Sequence, residues 1–189
     1  MKIILGSQSL GRKKIMTEMG YEFETMAADF DESSIRSNDP KELTSVLAQA
    51  KADVLKSKIS EPVILITSDT VVVCKGEILE KPVNEEMARE YLRGYNDFPV
   101  EVVTSLVVVN TESGKESIGV DIAKIFFFPF SEEEIDELVE EGSVYRLAGG
   151  FTVDGEKWER HVKKIEGTRE STIGLPKDLL RKLILDVQE

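Results

Sequence analysis

The sequence predicts an α/β protein with a mixed sheet, and three observations point there. Short β-like runs alternate with helix-like runs along most of the chain. Two pairs of β runs are joined by tight turns at Lys75-Gly76 and Ser113-Gly114, which is hairpin chemistry. The remaining β runs are separated by helical segments, as parallel crossovers require. Hairpins and crossovers in one chain favour a mixed rather than an all-parallel sheet.

Lys2 to Leu5 reads as a buried strand that runs straight into the polar turn Gly6-Ser7-Gln8-Ser9. A helix follows, with Ile15, Met16 and Met19 on one face and Gly20 as its stop. A strand, a turn of small residues and a helix aim backbone N–H groups at an anion. Tyr21 to Met26 reads as a second short strand, and residues 29–39 as a polar loop. Pro40 opens a helix to about Lys58, with Leu43, Val46, Leu47, Ala50 and Val54 at helical spacing. Val63 to Cys74 is strongly β, although Thr67-Ser68-Asp69-Thr70 interrupts its apolar run. Ile78 and Leu79 continue after the hairpin turn. Asn84 caps a helix to about Arg93, with Glu85 and Glu86 in its first turn. Val100 to Asn110 and Ser117 to Phe128 read as two long strands. Ser131 and Glu134 form a capping box for a helix to about Glu140. Leu147 to Gly155 is glycine-rich, and Pro176 to Val187 is a final helix.

Composition removes several function classes. With 24 basic and 36 acidic residues among 189, the net charge is −12, which disfavours stable nucleic-acid binding and polybasic membrane contact. Cys74 is the only cysteine and His161 the only histidine, so neither an intramolecular disulfide nor a two-histidine metal site is available. No apolar run approaches the ~20 residues of a membrane span, and the first residues lack a signal-peptide pattern. A cytoplasmic protein without membrane contact is the expectation; the sequence leaves a homodimer open.

Asp69 is the residue that most suggests chemistry, because a carboxylate inside a Val/Ile strand is costly unless paired, hydrogen-bonded or metal-bound. The bland alternative places it at a strand end facing water. Lys51, in LAQAKADVL, and Lys81, in LEKP, would each alone read as solvated lysines. Arg12-Lys13-Lys14 is a basic run after the first turn, either a landing place for a polyanion or an exposed helix face. Asp31-Glu32 is either a solvated turn or, completed by Asp69, a ligand set for Mg²⁺ or Mn²⁺. His161, Cys74 and Trp158 read as structural.

Four blocks together resemble the Maf family of nucleotide pyrophosphatases: LGSQSLGRKKIM (5–16), the DESS loop with LAQAKA (31–52), ITSDTVVVCKGEILEKP (66–82), and RLAGGFTVDG with KKIEGTRESTIGLP (146–176). The resemblance spans nearly the whole chain as one Maf-like domain over residues 1–189. It implies the two-lobed mixed α/β fold of the inosine triphosphate pyrophosphatases. It also implies cleavage of a nucleoside triphosphate to the monophosphate and pyrophosphate with a divalent cation, Mg²⁺, Mn²⁺ or Co²⁺. By it, Asp69 is the catalytic carboxylate. Ser7, Arg12, Lys51 and Lys81 contact phosphates, and Lys13 matches a second basic residue. Glu32, with Asp69, organises metal or water. Three positions separate substrate classes in the family, occupied here by Gly11, Thr70 and Asp154. Arg/Thr/Gln goes with dTTP and UTP, and Trp/Gln/Glu with 7-methyl-GTP; this chain has Gly/Thr/Asp. Asp154, acceptor-only, suits the adjacent donors of a guanine edge, Thr70 points to the pyrimidine class, and Gly11 is expected to enlarge the pocket. Leu10 stands where the family carries proline. A rival from another class is a non-catalytic nucleotide-binding regulator of cell division.

Overall fold

The computed structural model describes residues 1–189. The strands are β1 (Lys2–Leu5), β2 (Phe23–Thr25), β3 (Val63–Cys74), β4 (Glu77–Leu79), β5 (Val100–Asn110), β6 (Glu116–Phe127) and β7 (Val162–Glu166). The helices are α1 (Leu10–Glu18), α2 (Pro40–Lys56), α3 (Glu85–Gly94), α4 (Glu132–Glu141), α5 (Glu156–Glu159), α6 (Arg169–Ile173) and α7 (Lys177–Gln188). The seven strands form one mixed sheet in the order β2-β1-β3-β5-β6-β7, with β4 paired to β3. β1 runs parallel to both β2 and β3, whereas β3–β4 and β6–β7 are antiparallel. The mixed α/β fold is therefore as the sequence predicts. No helix is long and apolar enough to cross a membrane.

The chain divides into two compact units. The first comprises Met1–Thr70, Val103–Asp121 and Ile173–Glu189. Alternation along its strands sends residues to two apolar layers. Ile4, Leu65, Val107 and Val109 pack with Ala48, Ala52 and Leu55 of α2. Leu5, Ile64, Ile66, Leu106 and Val108 pack with Ile15 and Met16 of α1 and with Leu180, Leu183 and Ile184 of α7. The second unit comprises Val71–Val102 and Ile122–Thr172. Its core joins Leu92, Tyr95, Ile125, Phe127, Leu138, Phe151 and Trp158.

Two capping signals act as read: Asn84 caps α3, and Ser131–Glu134 closes a capping box on α4. At α2, which opens with Pro40, the cap is Asp39, which accepts from Lys41 N and Glu42 N. Lys75 and Gly76 both adopt positive φ, as a two-residue hairpin turn requires. The buried face of α2 differs from the one read from spacing. It is Leu43, Thr44, Leu47, Ala48, Ala52 and Leu55, while Val46 is exposed. Ala48 and Ala52 let the helix lie close on the sheet, so small residues occupy the stripe that larger apolar ones would suggest. β7, α5 and α6 were not expected. β7 has only two apolar residues, Val162 and Ile165, in five, too few to show an alternating pattern.

Candidate active site

The register of β1 against β3 builds the site. Leu5, the last residue of β1, pairs with Ile66, so the chain turns away beside the continuing segment Thr67–Thr70. Gly6 N donates to Ile66 O at 2.7 Å. A Cβ on Gly6 would lie 2.6 Å from Leu55 and 2.8 Å from Thr67, so only glycine permits this approach. Ser7 is buried, and its Oγ accepts from Ser9 N at 3.2 Å; Ser9 in turn caps α1 by accepting from Arg12 N. The turn and the start of α1 thus form the expected strand–turn–helix.

Asp69 does not lie at a strand end. It sits in the middle of β3 and is only 7% exposed. Alternation sends Thr67 and Asp69 toward α2, where Thr67 Oγ1 donates to Ala48 O at 2.8 Å and Lys51 Nζ donates to Asp69 Oδ1 at 2.6 Å. It sends Ser68 and Thr70 toward Arg12 and Gly174. The Arg12 guanidinium donates to Gly174 O (3.1 Å), Ser68 O (3.1 Å) and Thr70 Oγ1 (2.9 Å), and reaches Ser7 Oγ at 3.5 Å. The polar break in the β run therefore serves both faces of one strand.

Lys51 is no solvated lysine. Its side chain is 13% exposed because position 51 falls on the sheet-facing stripe of α2 with Thr44, Ala48 and Leu55. Its ammonium joins Asp69 to Glu32, whose Oε1 lies 3.3 Å away. Burial holds the Asp69 carboxyl above the usual carboxylate range, against the downward pull of Lys51 and then Arg12. Burial likewise draws the Arg12 guanidinium down, opposed by Asp69 and Glu32; it stays charged.

Asp31 does not join this cluster. Its carboxylate accepts from Ser33 N at 2.9 Å and from the Ser33 hydroxyl, capping its own turn, and these bonds hold it below the ordinary range. The metal question thus concerns Asp69 and Glu32. Each has one carboxylate oxygen on Lys51 and a second without a hydrogen-bond partner. No group of three metal-ligating side chains exists. Two carboxylates completed by phosphate oxygens and water suit a hard divalent cation, so the donor set fits.

The other expected residues are placed as follows. Lys13 Nζ bonds Gln8 Oε1 at 3.1 Å. Gly11 does not enlarge a pocket: Ile173 Cγ2 lies 2.5 Å from where a Cβ would stand, so Ile173 fills that space. Thr70 faces Arg12 and Thr104, whose hydroxyl lies 3.0 Å away. Lys81 and Asp154 belong to the second unit. Lys81 is exposed in the loop after β4. Asp154 Oδ1 accepts from Arg169 Nη2 at 2.8 Å and Nε at 3.1 Å, and Arg169 also meets Glu159. His161 is buried against Phe130, with its imidazole pushed down by burial, and Cys74 is buried with its thiol pushed up, so both are structural.

Sequence reasoning missed Ser68, Thr104, Gly174 and Arg169. Thr104-Ser105 breaks the Val-rich run 100–109 just as Thr67–Thr70 breaks that of β3, and it was the available signal.

Fold and site define an α/β protein with a buried acid–cation cluster beside a strand-to-helix turn. The chain belongs to the Maf family, whose model, Maf-like protein, matches residues 2–187. It is 44% identical over 194 residues to the 7-methyl-GTP pyrophosphatase of Dictyostelium discoideum, covering 99% of this chain and 98% of that one. It is 35% identical over 185 residues to a nucleoside triphosphate pyrophosphatase of Synechococcus sp., covering 98% and 93%. A dTTP/UTP pyrophosphatase of Vibrio vulnificus is 33% identical over 175 residues, covering 93% and 92%.

Proposed function

We propose that this protein is a hydrolase, a nucleoside triphosphate pyrophosphatase that cleaves a guanine-type triphosphate, with 7-methyl-GTP foremost, to the monophosphate and pyrophosphate. The observation that carries this reading is Asp69: a carboxylate buried inside a strand, held above its ordinary range yet bonded to Lys51. A raised carboxylate is a better proton acceptor, and mere nucleotide binding has no use for one. This favours the enzyme over a non-catalytic regulator.

In the proposed reaction Asp69 takes a proton from the attacking water. The water oxygen bonds to the α-phosphorus, and the bond from that phosphorus to its bridging oxygen breaks to release pyrophosphate. Ser7, the N–H groups at the start of α1, Lys51 and the charge of Arg12 hold the phosphates. Lys13 and Lys81 are assigned to phosphate by the family resemblance. Asp69 and Glu32 are the residues that would hold Mg²⁺, Mn²⁺ or Co²⁺, which when bound neutralises phosphate charge. A cytoplasmic setting belongs to the same proposal.

For the base, the relative from Dictyostelium discoideum and the acceptor-only character of Asp154 both favour a guanine edge over a pyrimidine one. The test is product analysis with 7-methyl-GTP, GTP, UTP and dTTP under Mg²⁺, Mn²⁺ or Co²⁺. Pyrophosphate should appear, fastest from 7-methyl-GTP, and EDTA should abolish it. Orthophosphate as the first product, or full activity in EDTA, would overturn the reading; a preference for UTP or dTTP would overturn its guanine assignment.

A further inference from the structure

The two hydroxyls behind Arg12 have a proton balance that assigns them a task. Thr70 Oγ1 accepts from Arg12 Nη2 at 2.9 Å and lies 3.0 Å from Thr104 Oγ1. The pair holds two hydroxyl hydrogens. One bridges the two oxygens, and no other protein acceptor meets either group. One hydrogen is therefore left over. Thr104 is 0% exposed, whereas Thr70 is half-buried. An unsatisfied donor is far more costly at the fully buried position. Thr104 therefore donates to Thr70, Thr70 accepts twice, and the free O–H is that of Thr70.

Gly174 completes the arrangement. Its carbonyl accepts from Arg12 Nε at 3.1 Å and from Ser68 Oγ at 3.0 Å, and its φ is +89°. A Cβ there would stand 2.5 Å from Thr70 Oγ1 and 3.1 Å from Arg12 Nη2. The backbone thus closes against the Arg12–Thr70 contact, and the guanidinium has only one N–H without a protein partner. Arg12 is set in place by the fold before any ligand arrives.

We propose that Thr104 is a positioning residue. It fixes Thr70 so that Thr70 both orients Arg12 and presents its own O–H to a phosphate oxygen, and Thr70 acts on the phosphates rather than reading the base. The proposal rests on the triphosphate reading above. It differs from the role the family resemblance suggests for position 70.

The test uses Thr104→Val, Thr104→Ser and Thr70→Val in the full chain, after matching thermal melts show that each is folded. Thr104→Val should lower kcat/KM about tenfold, the order of one hydrogen bond to a charged group. The loss should be of similar size for 7-methyl-GTP, GTP and UTP, and Thr104→Ser should restore kcat/KM to within about twofold. Thr70→Val should likewise act equally on all three substrates. Calorimetric affinity for inorganic tripolyphosphate should fall in step in both valine variants. Wild-type kinetics and tripolyphosphate affinity in Thr104→Val would overturn the proposal, as would a changed ratio between guanine and uracil substrates. If wild type cleaves no triphosphate, the functional reading falls instead. The positioning role is then judged by NMR exchange of the Arg12 Nη2 protons, which Thr70 holds. Faster exchange in Thr104→Val than in wild type or Thr104→Ser supports it, and equal protection in all three overturns it.

Discussion

Replacing Asp69 by Asn preserves the side chain's size and removes its charge and its capacity as a proton acceptor. Two magnitudes follow from its surroundings. Removing a general base costs about 10²–10⁴-fold in kcat. Removing one partner of a buried ion pair ordinarily costs about 3–5 kcal/mol, because the other charge is stranded. Here Lys51 is not stranded, since Glu32 Oε1 remains 3.3 Å from its ammonium. Nor does Asp69 ionise easily in the fold: burial outweighs Lys51 and Arg12 and raises its carboxyl. The folded protein therefore holds the Asp69 proton more tightly than the unfolded chain. That contribution to stability is full below the unfolded value of about 3.9 and is lost as pH rises through the folded value. Once ionised, the wild-type Asp69 carries the cost of a buried charge, and Asn removes it. We expect Asp69→Asn to lose activity by at least about a hundredfold, with Tm at pH 7.5 changed by less than about 4 °C, the shift of roughly 1 kcal/mol in a chain of this size. Steady-state pyrophosphate release and thermal melts at pH 5 and 7.5 measure both. Substantial activity in the folded variant would refute the base assignment. A large stability loss would show instead that the Lys51–Asp69 pair is mainly a structural strut.

Lys51→Met removes the ammonium that Asp69 and Glu32 share, so Asp69 should rise further and the acid limb of the kcat profile should move to higher pH. Its stability should fall by about 3 kcal/mol at pH 8 and recover toward pH 5, as protonation relieves the stranded carboxylate; denaturant melts at both pH values check the sign. Lys81 is exposed, so Lys81→Ala should leave stability within about 0.5 kcal/mol, and a fall in kcat/KM of tenfold or more would show a phosphate contact; unchanged kinetics would return it to the solvated surface. Asp154→Gln should cost about 1–3 kcal/mol in kcat/KM on 7-methyl-GTP while favouring UTP. Arg169 keeps Glu159 as a partner in that variant, so a melt should show little loss of stability.

Much of the architecture was legible because local chemistry specifies it. Caps at Asn84 and Ser131, the Lys75-Gly76 turn and the Val/Ile-rich runs depend on residues close in sequence, and they form the elements they signal. Asp69 was legible for a related reason: a carboxylate within an apolar strand is anomalous whatever surrounds it. Its partners were not equally legible. Lys51 looks like any helix lysine until Ala48 and Ala52 bring α2 close to the sheet and turn that stripe inward. The free space expected at Gly11 is filled by Ile173, 162 residues further along the chain. Thr104 and Gly174 carry no local sign that they will meet Thr70 and Arg12. Sequence by itself determined most of the strands and helices, though not β7, α5 or α6, and that one strand holds a costly acid. Only the tertiary structure decided which side chains share that acid's burial, because hydrogen bonds and ion pairs act over a few ångströms between residues that the chain order keeps far apart.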